Sequence, residues 1–152
     1  MEPEIKGKSA FTVVGMKYRG KNEKNEIPQL WNEFQPRMNE ITHKVNPYIA
    51  YGAMNNYDEE SGEFDYIAGF EVDSVADIPE GMARMDVPEQ MYAVFTCTLP
   101  TMGDVYGYAY NTWLPQSDFE RIKGPEFELY DENFDPGNED SKVYIYIPIV
   151  KT

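Results

Sequence analysis

From Val143 to Ile149 the chain alternates without a break: Val143, Ile145, Ile147 and Ile149 fall on one side of an extended backbone, and Tyr144, Tyr146 and Pro148 on the other. Such a run is a strand with two unlike faces, and it dictates what the rest of the chain must supply. The aliphatic face calls for a helix laid over it. The tyrosine face needs a cover of its own, because rings on a fully solvated sheet would form an exposed apolar patch. In the preceding strand, Phe127 to Asp131, Glu128 and Tyr130 share one side while Phe127 and Leu129 share the other. This pattern sets Glu128 and Tyr130 beside Tyr144 and Tyr146. Tyr66, Ala68 and Phe70 alternate in the same manner earlier in the chain. Two such faces brought together make a cleft lined by Tyr and Phe with a carboxylate among them. The same rings would equally serve to pack one sheet against another, and the residues alone leave both readings open.

The remaining elements follow from period and punctuation. Short strands are expected at Glu4 to Lys8 and at Phe11 to Tyr18, then a polar loop from Arg19 to Glu26. From Pro28, which suits a first helical turn, Leu30, Trp31, Phe34, Met38 and Ile41 recur at helical spacing, and the helix should end before Pro47. Tyr48 to Asn55 and Phe64 to Val72 read as a hairpin turning at Ser61-Gly62. The second half repeats the series. Met82 to Val87 and Gln90 to Thr98 are strands separated by Pro88, and Asp104 to Trp113 is a helix with Pro115 just beyond it. Phe127 to Asp131 and Val143 to Val150 close a hairpin through the turn Asp135-Pro136-Gly137-Asn138. The expected fold is α+β, a single domain of two pseudo-symmetric ββαββ repeats, about 1–79 and 80–152. Each repeat would be a small antiparallel sheet with one helix, and Pro79-Glu80-Gly81 the junction. An internal duplication is the natural explanation.

Inventory removes several kinds of chemistry. One cysteine, Cys97, and one histidine, His43, cannot build a Cys/His zinc site. His43 has no nucleophile motif near it and sits where a helix end would favour a cation. No glycine-rich phosphate loop occurs, and the acidic stretch from Asp131 to Asp140 lacks calcium-loop spacing. Neither a metal nor a cofactor is expected. With 13 Lys and Arg against 27 Asp and Glu, the formal charge of −14 argues against nucleic acid and anionic membrane as direct partners. That charge suits a cationic partner, or simply solubility. The single cysteine, the absence of a signal-like N-terminus and the lack of an apolar run approaching about 18 residues point to the cytoplasm.

Four segments, in order, carry a family resemblance: Tyr92-Ala93-Val94-Phe95, Trp113-Leu114-Pro115, Phe127-Glu128-Leu129-Tyr130-Asp131 and Tyr146-Ile147-Pro148-Ile149. With Phe11-Thr12-Val13-Val14-Gly15 in the first half, the chain resembles the GyrI-like effector-binding family. These modules also stand at the C-termini of AraC-type and MerR-type multidrug regulators. The resemblance implies a ligand cleft between the repeats, with Glu128 in it as counter-charge for lipophilic cations. The ligand-facing candidates are Glu128, Tyr130, Tyr144, Tyr146, Trp113, Tyr66, Phe70, Tyr51 and Tyr92. Tyr106, Tyr110 and Trp113 share a helix face, and Trp113 lies at the end nearest the expected cleft. Only a few residues precede the first strand, so a DNA-binding domain is not expected here.

Three functions compete. A stand-alone binding protein for lipophilic cations uses rings for flat apolar area and cation–π contact. A hydrolase of electrophilic small molecules, as some family members are, would use Glu128 as its acid or base, since desolvation by rings raises a carboxyl pKa. A gyrase-inhibitor-like protein-interaction module would use the acidic surface.

Overall fold

The computed structural model describes residues 1–152. Nine strands form one antiparallel sheet: β1 (Glu4–Lys8), β2 (Phe11–Gly20), β3 (Ala50–Asn55), β4 (Phe64–Val72), β5 (Ala83–Val87), β6 (Gln90–Cys97), β7 (Phe119–Arg121), β8 (Glu126–Tyr130) and β9 (Val143–Lys151). Their order across the sheet is β1-β6-β9-β8-β3-β4-β2-β5, with β7 paired to β9 beside the main path. No helix is long and apolar enough to cross a membrane.

The α+β class is as expected, but the pairing is not that of two separate sheets. β3 pairs with β8, which fuses the halves, and the first strand of each half crosses to the other: β1 pairs with β6 and β5 with β2. The linkers explain the crossing. Ser9-Ala10 and Pro88-Glu89 lack the Asn-Gly or Gly-X chemistry of a two-residue hairpin, so neither chain turns back on itself. Read from either end, the order is the same when β1 to β4 are exchanged for β5, β6, β8 and β9.

Both helices lie on one face of the sheet. α1 (Glu26–Phe34) buries Leu30 and Phe34 against Val14, Tyr66, Ala68 and Phe70. It is shorter than the periodicity predicts, because Pro36 has no N–H to give and the chain tightens into a 3-10 segment over Gln35–Glu40. His43 therefore lies past the helix end, where its Nε2 meets Asp77 at 3.2 Å on the surface. α2 (Met102–Tyr108) runs on through a π-helical turn (Ala109–Trp113) into α3 (Leu114–Gln116), so Pro115 falls inside the last turn rather than beyond it. Beneath it the aliphatic face of β9 is fully buried: Val143, Ile145, Ile147 and Ile149 pack with Ala93, Phe95 and Trp113.

The opposite face curls over itself and closes a second core. Phe11, Tyr51, Tyr92 and Phe127 meet there with ring centroids 5.2–5.6 Å apart, and Tyr146 stacks on Phe127 at 4.5 Å. Rings in tilted and edge contact at these distances fill space efficiently. Of the two readings the alternation allowed, the tyrosine face of β9 follows the packing one.

Candidate functional site

Strand register decides which side chains can meet, because residues paired across a ladder share a face. Glu128 pairs with Ile145 and with Gly52, whereas Phe127 pairs with Tyr146 and Leu129 with Tyr144. Glu128 and Tyr130 therefore stand on the helix face, not beside Tyr144 and Tyr146 as the alternation had been read. Counting alternation within each strand could not show the phase between strands; the β8–β9 register sets it. Tyr51 and Tyr92 lie with Tyr144 and Tyr146 on the far face, and Phe70 is packed under Phe34 at 5.9 Å. Trp113 sits between Phe95 (5.6 Å) and Phe119 (6.0 Å) under the second helix. The π-helical turn inserts an extra residue after Tyr108 and rotates Trp113 off the Tyr106–Tyr110 line.

Glu128, Tyr130 and Tyr66 are brought together at the seam where β3 and β8 join the halves. Tyr66 Oη donates to Glu128 Oε1 at 3.0 Å and Tyr130 Oη donates to the same oxygen at 2.8 Å. Trp31 Nε1, from the first helix, donates to Tyr66 Oη at 2.9 Å, and the Trp31 ring stands edge-on to Tyr130 at 5.3 Å. The second helix contributes Tyr106, whose hydroxyl is buried without a partner, and Tyr110, stacked on Tyr106 at 6.3 Å. Gly52 makes this possible. A Cβ there would lie 2.1 Å from Tyr66 Oη and 2.7 Å from Glu128 Oε1.

The electrostatics are unusual for a carboxylate. Glu128 is 7% exposed, and neither lysine nor arginine pairs with it. Burial pushes its carboxyl up from the ordinary 4.5 to about 7; the two tyrosine hydrogen bonds pull down, and neighbouring Glu126 adds to the rise. The phenols answer in kind: burial and the charge of Glu128 hold Tyr66, Tyr130 and Tyr106 protonated far above their usual range. The result is an acid near half-ionisation at neutral pH, ringed by neutral donors and aromatic faces. Chemically it can take a cation, or hold and pass a proton. An open groove of about 360 Å³ lies elsewhere, lined by Ala10, Phe11, Thr12, Asp86, Val87 and Pro88. It is the weaker candidate, because its carboxylate is already matched by Thr12 at 2.8 Å and Arg84 at 2.9 Å.

Trp31, Gly52, Tyr106, Tyr110 and Glu126 are not among the ligand-facing candidates of the sequence, which has Trp31 only in the stripe of the first helix and Tyr106 and Tyr110 only on the helix face of Trp113. One signal for Trp31 was available: Leu30 and Phe34, at i and i+4, already fill the core stripe of α1, which leaves Trp31 on its flank. Gly52 carried none, since only the three-dimensional approach of Tyr66 shows why a side chain is excluded.

Comparison with known proteins identifies the family and the fold. The family described as Cass2, integron-associated effector binding protein, matches residues 4–149. The transcriptional regulator BrlR of Pseudomonas aeruginosa is 41% identical over 152 residues, covering 98% of this chain and 56% of the regulator, so the chain spans about half the length of that relative. Among solved structures, SAV2435 bound to tetraphenylphosphonium superposes with a TM-score of 0.77 at 20% identity, covering 99% of this chain and 94% of that one. Integron cassette protein VCH_CASS2, from the mobile metagenome of Vibrio cholerae, gives 0.69 at 21% identity, covering 98% and 96%. At these identities the two structures speak for the fold. The chain belongs to the Cass2 family of integron-associated effector binding proteins, within the GyrI-like effector-binding fold.

Proposed function

We propose that the chain binds lipophilic cations between its two helices, with Glu128 as counter-charge and Trp31, Tyr66, Tyr106 and Tyr130 as walls. One observation carries this reading: a buried carboxylate whose hydrogen bonds come only from neutral tyrosines. A lone charge in such surroundings is costly, and a bound cation offsets the cost. That SAV2435 has been solved with tetraphenylphosphonium supports the same ligand class. Rings suit such ligands because they offer area and cation–π attraction without demanding one shape. Entry requires Trp31 and Tyr130 to part, so indole fluorescence should report it.

The test is a titration with tetraphenylphosphonium and with neutral triphenylphosphine oxide. Glu128→Gln should weaken the cation by about 1–3 kcal/mol and the neutral compound much less. Equal losses for both would assign Glu128 a packing role. A second reading rests on the same acid, which near half-ionisation beside two phenols has what proton transfer needs. Turnover of an electrophilic small molecule, abolished in Glu128→Gln, would favour it.

A further inference from the structure

Strand β8 presents two carboxylates to the helix face, not one. Glu126 and Glu128 are two residues apart, which sets their backbone positions about 7 Å from each other along the strand. Their partners differ in kind. Glu128 has tyrosines only. Glu126 has a cation: Arg121 Nη2 lies 3.7 Å from its Oε1, while Tyr110 donates to its Oε2. Arg121 Nε in turn donates to Tyr110 Oη at 3.1 Å, and its other nitrogens donate to the carbonyls of Ile122 at 2.8 Å and Gly124 at 3.5 Å. With its fork committed in this way, the guanidinium is held in place rather than free to sample solvent. It is delivered by β7, a three-residue strand that pairs only with β9 and has no counterpart in the first half. Tyr106 feels both acids: its buried hydroxyl is unpartnered and held protonated by burial and by the charges of Glu128 and Glu126.

We infer that Arg121 sets the charge count of the site: by neutralising Glu126 it leaves a single uncompensated carboxylate, so the site takes monocations and discriminates against dications. This rests on the cation-binding reading of Glu128. A ligand with a second positive charge would place it near Glu126, where Arg121 already stands and repels it. Specificity of this sort comes from a repulsive element as much as from an attractive one. Arg121 is a specificity residue acting through Glu126, not a group that touches the ligand.

Ethidium and propidium test this directly, since they share one phenanthridinium frame and propidium adds a quaternary ammonium on a short arm. Both are titrated by fluorescence at pH 8 against the full chain. Arg121→Gln should shift the ratio of the two dissociation constants toward propidium by about tenfold, because the unmasked Glu126 can then receive the second charge. Arg121→Lys, which keeps the charge, should leave the ratio near its original value. Glu126→Gln makes the opposite change: it leaves Arg121 unmatched, so both dyes weaken and propidium weakens more. This arm decides the matter if Arg121→Gln does not fold. A ratio unchanged within about twofold in Arg121→Gln, with ethidium still dependent on Glu128, overturns the inference and leaves cation binding standing. Original protein that binds neither ethidium nor tetraphenylphosphonium overturns both.

Discussion

The two faces of the sheet hold the same kind of arrangement in opposite states. On the helix face, Glu128 accepts from two tyrosines, lies among rings and has no cation. On the far face, Tyr51 Oη donates to Glu71 Oε1 at 3.3 Å, and the chain supplies the cation itself. Lys8 Nζ sits 3.5 Å from that oxygen, 4.4 Å from the Phe11 ring centroid and 5.9 Å from that of Tyr51. Carboxylate, phenol and aromatic faces thus surround an ammonium on one side and nothing charged on the other. A cation is what the Glu128 site lacks, because the far face holds the same groups satisfied.

Both faces depend on strands exchanged between the halves, so cutting the chain at the junction should break both at once. A fragment of residues 1–79 keeps β1 without its partner β6 and loses β5 from the side of β2. It should show no cooperative thermal transition by circular dichroism, whereas the full chain should melt as one unit. A sharp melt from the fragment would mean that each half is complete alone.

Next in size is the charge of Glu128. Its carboxyl titrates at about 7 in the folded chain against the ordinary 4.5. Because the folded value is the higher one, the native state holds the proton more tightly. Stability without ligand should fall as pH rises from 4.5 to 7, by about 3 kcal/mol in all, and then level off. Glu128→Gln should abolish that slope and melt higher than the original at pH 8. Ligand affinity runs the other way. A permanently charged cation selects the ionised acid, so its affinity should rise about tenfold between pH 6 and pH 8. Calorimetry at pH 7 in buffers of different ionisation enthalpy should show about half a proton released per cation bound. No proton release would place the cation away from Glu128.

Gly52 offers a smaller and more local break. Tyr66 is 1% exposed and cannot swing clear of a new methyl group. Gly52→Ala should therefore cost about 1–3 kcal/mol of stability and weaken tetraphenylphosphonium binding. Gly103→Ala, in the second helix with nothing within 4 Å, should leave binding unchanged. Equal affinity in the two variants would show that the Tyr66–Glu128 geometry is dispensable.

How much of this was legible beforehand follows from the range of the forces involved. The strand at β9 and its aliphatic face were readable because alternation is local, and all four aliphatic residues are indeed fully buried. The motif around Glu128 pointed to the acid and to Tyr130, two residues away on the same face. The companions from afar were not readable in the same way. Tyr66 was named for its alternation, but its meeting with Glu128 depends on the β3–β8 seam. Tyr144 and Tyr146 were set beside Glu128 because a period of two gives sides without saying which sides coincide. Trp113 ranks above Tyr106 in the sequence because it falls at the helix end nearest the expected cleft, and a regular period cannot show the π-helical turn that intervenes.

The smallest effect carries the sharpest contrast, because one kind of substitution should act with opposite sign on the two faces. Glu71→Gln removes a carboxylate that already has its cation, so stability should fall. The Lys8 and Glu71 side chains are 27% and 23% exposed, and solvent screens the pair, which limits the loss to about 0.5–1 kcal/mol. Lys8→Met keeps the apolar stem over Phe11 and should cost a similar amount. For a chain of this size either change lowers the melting temperature by about 1–4 °C, and added salt should shrink the difference. Neither should alter tetraphenylphosphonium affinity, since both lie across the sheet from Glu128. Glu128→Gln at pH 8 should raise the melting temperature instead, because there the substitution removes a buried charge with no partner. A fall in both glutamine variants would mean that Glu128 is as well compensated as Glu71, and the helix face would then have no need of a cation from outside.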